Sequence, residues 1–265
     1  AIDGMLYPEV KTCRTKTGRF SYAVPNLQQI PKRGGSLAMD FRRCFTGASG
    51  SVSGADYSQV ELRVAAALAG EPVLLEAFAQ GRDPHTEVAA KMLGKAVPDI
   101  SPQERFGAKV INFGILNGMG ARRLASELKA TKVEAQRFLD EYRRSMPALT
   151  YWMEGIWRDA EADMLARTAA GRTRVFGPGE GTRSAISVIV QGTAAELMRQ
   201  ALVAVDEAGL RPILVVHDEI VCDILDRGEE VARIMREAAD AAFPEVLGGV
   251  TFEAGAGSGE TWAEI

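Results

Sequence analysis

The sequence predicts an α+β fold, an antiparallel sheet with helices against it, from three observations. Two runs rich in β-branched residues, Ile213 to Val216 and Ile220 to Cys222, flank His217-Asp218-Glu219 and read as a strand, a tight turn and a returning strand. Gly54-Ala55-Asp56 ends a further short strand, and a helix over Gln59 to Leu68 starts directly after it. Between these strand-bearing stretches, from Pro72 to Ala208, helical spacing dominates, with glycine and proline at the breaks.

From the start of the chain, Thr17 to Ser21 and then Pro25 to Pro31 form an extended, proline-bounded segment. Its Arg19, Asn26, Gln28 and Gln29 suit hydrogen bonds to base edges or phosphates, or serve simply as loop residues. Gly34-Gly35 and Gly47 to Gly54 punctuate what reads as a strand pair, with Phe41 and Phe45 facing the core. Pro72 to Phe78 and His85 to Leu93 read as helices, the second opened by Asp83 as N-cap and Pro84 at N1. His85 then falls in a first helical turn, where phosphate is welcome and where a structural histidine is also common. Ser101-Pro102-Gln103-Glu104 is a capping box, and along the helix it starts Arg105, Lys109 and Phe113 recur every four residues with Asn112 beside them. Two cations and an aromatic on one stripe suit a triphosphate and a base, or a core phenylalanine beside two surface charges. Asn117-Gly118 ends that helix, and helical patterns continue over Ala121 to Lys129, Val133 to Arg144 and Pro147 to Leu165. Gly171 to Gly179 is a turn and short strand, Arg183 to Ala208 a long helix whose Gln191 interrupts an apolar stripe, and Arg227 to Phe243 an amphipathic helix covering one sheet face. Gly255 to Gly259 has neither the glycine spacing nor the following helix of a dinucleotide loop.

At 265 residues the chain can bury a sizeable core. Its three cysteines fit no C-x-x-C spacing and point to a reducing, cytoplasmic compartment, and no membrane span or signal peptide is read. The formal net charge of −4 argues against an electrostatic nucleic-acid binder, but its distribution argues otherwise: Ser101 to Ser145 holds nine Lys/Arg against five Asp/Glu. The chain begins at Ala1 rather than methionine, which is expected of a trimmed chain or the C-terminal part of a longer polypeptide.

The hairpin is where chemistry is expected. Two adjacent carboxylates left unpaired on so apolar a surface cost several kcal/mol, so a cation belongs beside them unless they are simply solvated turn acids. With two histidines and no paired cysteines a zinc site lacks ligands, whereas clustered carboxylates suit Mg²⁺ or Mn²⁺. Asp56 and Asp218 are the candidates for bridging two such ions about 3.5–4 Å apart, the arrangement that serves phosphoryl transfer.

Taken together the motifs resemble those of family A DNA polymerases. Asp56-Tyr57-Ser58-Gln59-Val60-Glu61-Leu62-Arg63 resembles the first polymerase motif, Arg105-x-x-x-Lys109-x-x-Asn112-Phe113-Gly114 the second, and Val216-His217-Asp218-Glu219 the third. Thr17-Gly18-Arg19, Pro25 to Pro31, Asp83-Pro84-His85, Gln191 to Ala195 and the Gly-Ser-Gly-Glu-x-Trp run ending at Trp262 match flanking elements in order. The resemblance implies a right-hand palm over residues 1–70 and 183–265, with helical fingers inserted over 71–182. It implies a template-directed DNA polymerase that transfers a nucleotide from dNTP to a primer 3′-hydroxyl. Asp56, the Tyr57 carbonyl and Asp218 would hold two Mg²⁺, replaceable by Mn²⁺, with Glu219 in support. Arg105, Lys109, His85 and Gln59 would hold the triphosphate, with Lys109 also protonating the leaving pyrophosphate. Phe113 would stack on the nucleotide and Glu61 would exclude a 2′-hydroxyl. Arg19, Gln191, Arg183 and His217 would touch primer-template DNA, and Asn117 would stand by the template base.

The sequence departs from the family at three places. Asn117 stands where the family usually has a tyrosine, which predicts lower base-selection fidelity. Ser187 replaces an asparagine one turn before Gln191, and the 265 residues from Ala1 include no stretch expected to form the thumb or a 3′–5′ exonuclease. An upstream segment or partner chain supplying the thumb is therefore expected, with weak DNA binding and distributive extension by this chain alone. The rival readings are a primer-template-binding fragment, a polymerase of altered nucleotide preference and a two-metal nuclease. The Arg105–Lys109–Phe113 helix argues against the last, because hydrolysis needs no triphosphate platform.

Overall fold

A computed structural model describes residues 3–32 and 35–265. Ala1 and Gly34, both invoked above, lie outside them. In chain order the elements are β1 (Glu9–Lys11), β2 (Ser21–Ala23), α1 (Ser36–Arg43), β3 (Val52–Tyr57), α2 (Val60–Ala69), α3 (Pro72–Ala79), α4 (Pro84–Leu93), α5 (Pro102–Leu116), α6 (Ala121–Leu128), α7 (Lys132–Ser145) and α8 (Pro147–Asp163). They continue with β4 (Leu165–Arg167), β5 (Thr173–Val175), α9 (Ala185–Glu207), β6 (Pro212–Val216), β7 (Glu219–Cys222), α10 (Gly228–Ala241), α11 (Pro244–Leu247) and β8 (Ala254–Gly259). The fold is α+β with antiparallel sheets, as predicted. The chain divides into two compact units: Ala1–Val60, Ala194–Ala242 and Phe252–Ile265 form the first, Glu61–Thr193 and Phe243–Thr251 the second.

The first unit is built on a four-stranded sheet in the order β6-β7-β3-β8. The predicted hairpin is β6 and β7, joined through His217 and Asp218, with His217 in the left-handed region at φ 53°. The sheet's centre is β3, buried along most of its length. Gly54 is needed there, because a Cβ would lie 2.7 Å from the Ile220 carbonyl oxygen and 2.9 Å from the Ile265 side chain. One core cluster packs Tyr22, Leu27, Val52, Leu214, Val216, Val221 and Trp262. The amphipathic α10 covers β3 and β8, burying Val231, Ile234, Met235 and Ala239, and the Tyr57 hydroxyl donates to the Met235 carbonyl.

Two elements here differ from expectation. Residues 36–43 are helix rather than part of a strand pair, and Phe41 is 54% exposed. Ala38 and Arg42, four residues apart, form the buried stripe instead, because a carboxylate and an indole await the Arg42 guanidinium. Gly255 to Gly259, which the sequence assigned to no element, lies in strand β8, whose backbone pairs with all of β3 from Val52↔Gly259 to Tyr57↔Ala254. Its lack of β-branched side chains hid it, yet a Cβ on Gly257 would lie 2.6 Å from the Ile265 backbone.

The second unit is helical, with the β4–β5 hairpin beside α8. Its helix starts follow the sequence: Asp83 caps α4 and Ser101 with Glu104 forms the capping box of α5. Glu71, fully buried, caps α3 and also accepts from the Leu149 amide at 3.1 Å, tying α3 to α8. The helix expected to reach Leu165 ends at Asp163, where Met164 turns left-handed into β4. The helical stretch Thr182–Glu207 is long and apolar enough by composition to cross a membrane, and most of its most apolar part is buried within the protein, which accounts for that composition.

Candidate active site

In the first unit the strand register decides which acids meet. Asp56 on β3 lies directly opposite Glu219 on β7, and the Tyr57 amide donates to the Asp218 carbonyl at 2.9 Å. Directly opposed side chains share a face, so the carboxylate matched to Asp56 is Glu219, with Asp218 next to it in the turn. The sequence reading named Asp56 and Asp218 as candidates for bridging two metal ions, a role that this register does not decide.

Protein cations hold all three carboxylates. The Lys32 ammonium lies 3.1 Å from Glu219 Oε1 and 3.5 Å from Asp56 Oδ2. The second Glu219 oxygen accepts from Arg42 Nη2 and from Trp262 Nε1, each at 3.2 Å, while the Arg42 guanidinium lies 4.0 Å from the centroid of the Trp262 ring. Arg42, Glu219 and Trp262 are buried, and Asp56 and Lys32 are half-exposed. Burial raises the Asp56 pKa above the usual carboxylate value; Lys32 pulls it down and the Glu219 charge pushes it up. Asp56, Glu219 and Lys32 line an open cavity of about 340 Å³ together with Gly255 and Gly257 of β8.

Asp218 lies 3.5 Å from Arg19 and lines a cavity of about 200 Å³ with His217, Gln28 and Met198. Arg19 is set by the preceding turn: Arg199 donates to the Gly18 carbonyl and, at 2.8 Å, to that of Thr12, with its guanidinium 5.4 Å from the Phe20 ring. Gln59 sits in the left-handed region at φ 55°, its buried Oε1 without a hydrogen-bond partner. The Tyr57 side chain is spent on packing, its hydroxyl pKa raised by burial and by the charge of Asp240.

In the second unit α5 presents the predicted stripe, but with different partners along it. Arg105 is engaged by Asp83 through two bonds, Nε–Oδ2 at 2.8 Å and Nη2–Oδ1 at 2.9 Å. Against the opposing effect of burial, bonds from Arg105 and Thr86 lower Asp83 to about 2. Lys109 and Phe113 line an open cavity of about 600 Å³ with Phe106, Asn117, Met119 and Arg123. His85, expected to face phosphate from the start of α4, is 2% exposed instead. Its Nδ1 lies 2.9 Å from Asn112 Nδ2 and its ring centroid 5.6 Å from that of Phe113. Burial, with the nearby charges of Arg105 and Lys109, lowers its pKa to about 4 despite Asp83.

Asn117 donates to the Phe113 carbonyl at 2.8 Å and accepts from Gln191 Nε2 at 3.0 Å, which supplies the partner that Gln191 lacked in the sequence. Ser187 turns its hydroxyl onto the Ser184 carbonyl of its own chain segment at 2.9 Å. Arg183 is exposed, and its carbonyl accepts from Trp157 Nε1 at 3.3 Å. Glu61 is half-buried at the start of α2.

Sequence reasoning missed Lys32, Arg42 and the second duty of Asp83. Only Arg42 left a usable signal, since it is four residues from Ala38 on a short helix. Among the described residues no group of three His, Cys, Asp or Glu side chains is already drawn together as a metal cage. The donor set still fits a hard divalent ion: every candidate ligand is an oxygen, and the charges are balanced here by ammonium and guanidinium groups in direct contact.

Comparison with known proteins bears on the same residues. The chain is 39% identical over 274 residues to "DNA polymerase I, thermostable" of Thermus aquaticus, covering 98% of this chain and 32% of that protein. It is 36% identical to DNA polymerase I of Pseudomonas aeruginosa over 283 residues, 98% of this chain and 30% of that one. The chain thus spans about a third of the length of the curated relatives it matches. Among solved structures, the POL domain of Pol1 from M. smegmatis in complex with DNA primer-template and dNTP superposes with a TM-score of 0.88 at 28% identity, covering 99% of this chain and 49% of that one. The family model for DNA polymerase family A matches residues 1–264. With sheet, hairpin carboxylates and helix stripe falling inside that single match, the chain belongs to DNA polymerase family A.

Proposed function

We propose that this chain carries the nucleotidyl-transfer centre of a template-directed DNA polymerase, joining a deoxynucleotide to a primer 3′-hydroxyl with release of pyrophosphate. In this reading residues 1–70 and 183–265 are the palm and residues 71–182 the fingers. The observation that carries it is the register of β3 on β7, which sets Asp56 against Glu219 and hangs Asp218 from the adjoining turn by the Tyr57 amide. Family A polymerases generally use divalent metals. Asp56, Asp218 and the Tyr57 carbonyl would hold two Mg²⁺ here, or Mn²⁺ in their place, with Glu219 in support. When bound, such ions acidify the attacking hydroxyl and neutralise charge on the departing pyrophosphate.

The remaining steps belong to side chains. Lys109 faces an open cavity beside Phe113, suited to meeting a triphosphate and giving a proton to the leaving group while Phe113 stacks on the base. Arg105 joins them by exchanging Asp83 for phosphate, a trade between two bidentate acceptors. His85 reaches the triphosphate by leaving Asn112. Gln59 completes the triphosphate set and Glu61 crowds the 2′ position of the sugar. Arg19, His217, Gln191, Arg183 and Asn117 meet the primer-template near its growing end, through backbone and minor-groove groups common to every base pair. A thumb and exonuclease, from an upstream segment or a partner chain, and a cytoplasmic location complete the proposal.

The test is Mg²⁺-dependent extension of a labelled primer-template by the chain, by Asp218→Ala and by Arg105→Ala. Extension by the wild type, abolished in Asp218→Ala and slowed mainly through a higher dNTP KM in Arg105→Ala, supports the reading. Equal extension by Asp218→Ala overturns it. Duplex binding without any extension would favour a primer-template-binding fragment, a reading that the one-third coverage of the relatives also allows.

A further inference from the structure

We propose that Lys32 is a tethered competitor for the metal-binding carboxylates: its ammonium bridges Asp56 and Glu219 and sets the divalent-ion concentration at which they are released. The inference rests on the reading of those carboxylates as a metal site. Three observations support it. Among the described residues Lys32 is the one cation in direct contact with Asp56, at 3.5 Å, and it reaches Glu219 at 3.1 Å with the same nitrogen. A single point charge therefore sits between two anions that the strand register forces face to face, where like charges repel.

The two anions are not equally dependent on it. Glu219 keeps Arg42 and Trp262 on its other oxygen when Lys32 leaves, so its position survives the exchange. Among the described residues Asp56 keeps no other contacting cation, so it is left as the group most in need of a new one.

Release is also inexpensive. The Lys32 side chain is 47% exposed and Asp56 45%, so the departing ammonium and one of its two anions are already partly hydrated. An ion of twice the charge, bound through several oxygens at once, displaces it. Until then Lys32 offsets the repulsion between Asp56 and Glu219, so the site waits assembled but closed.

Direct Mn²⁺ binding to the full chain, read by the loss of the free-ion electron paramagnetic resonance signal, tests this without any turnover. Lys32→Gln and Lys32→Met are expected to bind Mn²⁺ roughly two- to tenfold more tightly than wild type, the range for removing one or two partly exposed ion pairs. Lys32→Arg, which keeps a cation on the same tether, is expected to stay near wild type. So is Arg227→Gln, which removes a charge of the first unit that is engaged by Glu230 instead. Asp56→Ala is expected to lose the site. If Asp56→Ala loses it while Lys32→Gln binds no more tightly than wild type, the competition is wrong and the metal site stands. If Asp56→Ala binds Mn²⁺ as wild type does, the metal reading itself is wrong and the inference goes with it.

Discussion

Arg42→Met isolates the group that holds Glu219 in place. Arg42 is 2% exposed, its Nη2 lies 3.2 Å from Glu219 Oε2, and its guanidinium lies 4.0 Å from the centroid of the Trp262 ring. Methionine fills much of the volume but leaves a buried carboxylate without one of its two cations. Removing one partner of a buried ion pair costs about 3–5 kcal/mol. Lys32 and the Trp262 indole still reach Glu219, which places the cost at the lower end, about 3 kcal/mol including the lost cation–π contact. For a chain of this size that is a drop in Tm of roughly 6–12 °C. Urea unfolding of wild type, Arg42→Met, Glu219→Gln and the double variant, in the absence of divalent ions, measures it. In the Glu219→Gln background the carboxylate charge is gone, so Arg42→Met is expected to cost about 1.5–3 kcal/mol less than in wild type. A single-variant loss under about 1 kcal/mol, or costs that simply add, would refute the claim that Arg42 and Glu219 act as one buried unit.

Asp83→Ala removes both the α4 cap and the clamp on Arg105, and is expected to cost about 1–2 kcal/mol in urea unfolding, since the pair is partly exposed and the cap carries most of it; Asp83→Asn, which keeps the cap, is expected to lose less than half as much. Because Asp83 sits at about 2 in the folded chain against an ordinary value of 3.8, its contribution is complete above about pH 4 and disappears as pH falls toward 2. His85 shows the opposite case of a base held neutral: with a folded pKa of about 4 against 6.5, the unfolded chain takes up the proton first, so stability is expected to fall as pH drops from 6.5 to 4, by about 2.5 kcal/mol, and His85→Gln to flatten that slope. Proton NMR of the two histidines is expected to show one ring titrating near 4. Asn117→Tyr breaks the link to Gln191 and restores the residue usual in the family, and is expected to lower misincorporation in primer extension; an unchanged rate would contradict it.

The hairpin and the capped helices were legible because their signals are local. Ile213 to Cys222 is β-branched on both sides of a polar turn, and Ser101 and Glu104 specify the start of α5 by bonding each other's backbone. The helix stripe of Arg105, Lys109 and Phe113 was legible as a face, but not as a set of contacts. That Asp83 claims Arg105, and that His85 lies under Phe113 against Asn112, depends on how α4 packs on α5, which no spacing along either helix encodes. Strand β8 was hidden by its glycines, since a strand whose task is to let Ile265 and α10 approach closely carries no side-chain pattern. Arg42 went unread for the reverse reason: charge normally marks the outer face of a short helix, and here a buried glutamate 177 residues away reverses it. That Glu219 lies directly opposite Asp56 is a one-residue matter of register, fixed only when β3 and β7 are zipped together.

The central claim is that the carboxylates at this end of the sheet hold metal. Anomalous diffraction from crystals of the chain grown with primer-template, dNTP and Mn²⁺ tests it most directly. The account predicts two Mn²⁺ peaks about 3.5–4 Å apart, each about 2.0–2.2 Å from an oxygen of Asp56 or Asp218, with Lys32 withdrawn from Asp56. No peak at these aspartates, with Lys32 still bridging Asp56 and Glu219 in the presence of the ion, would contradict it.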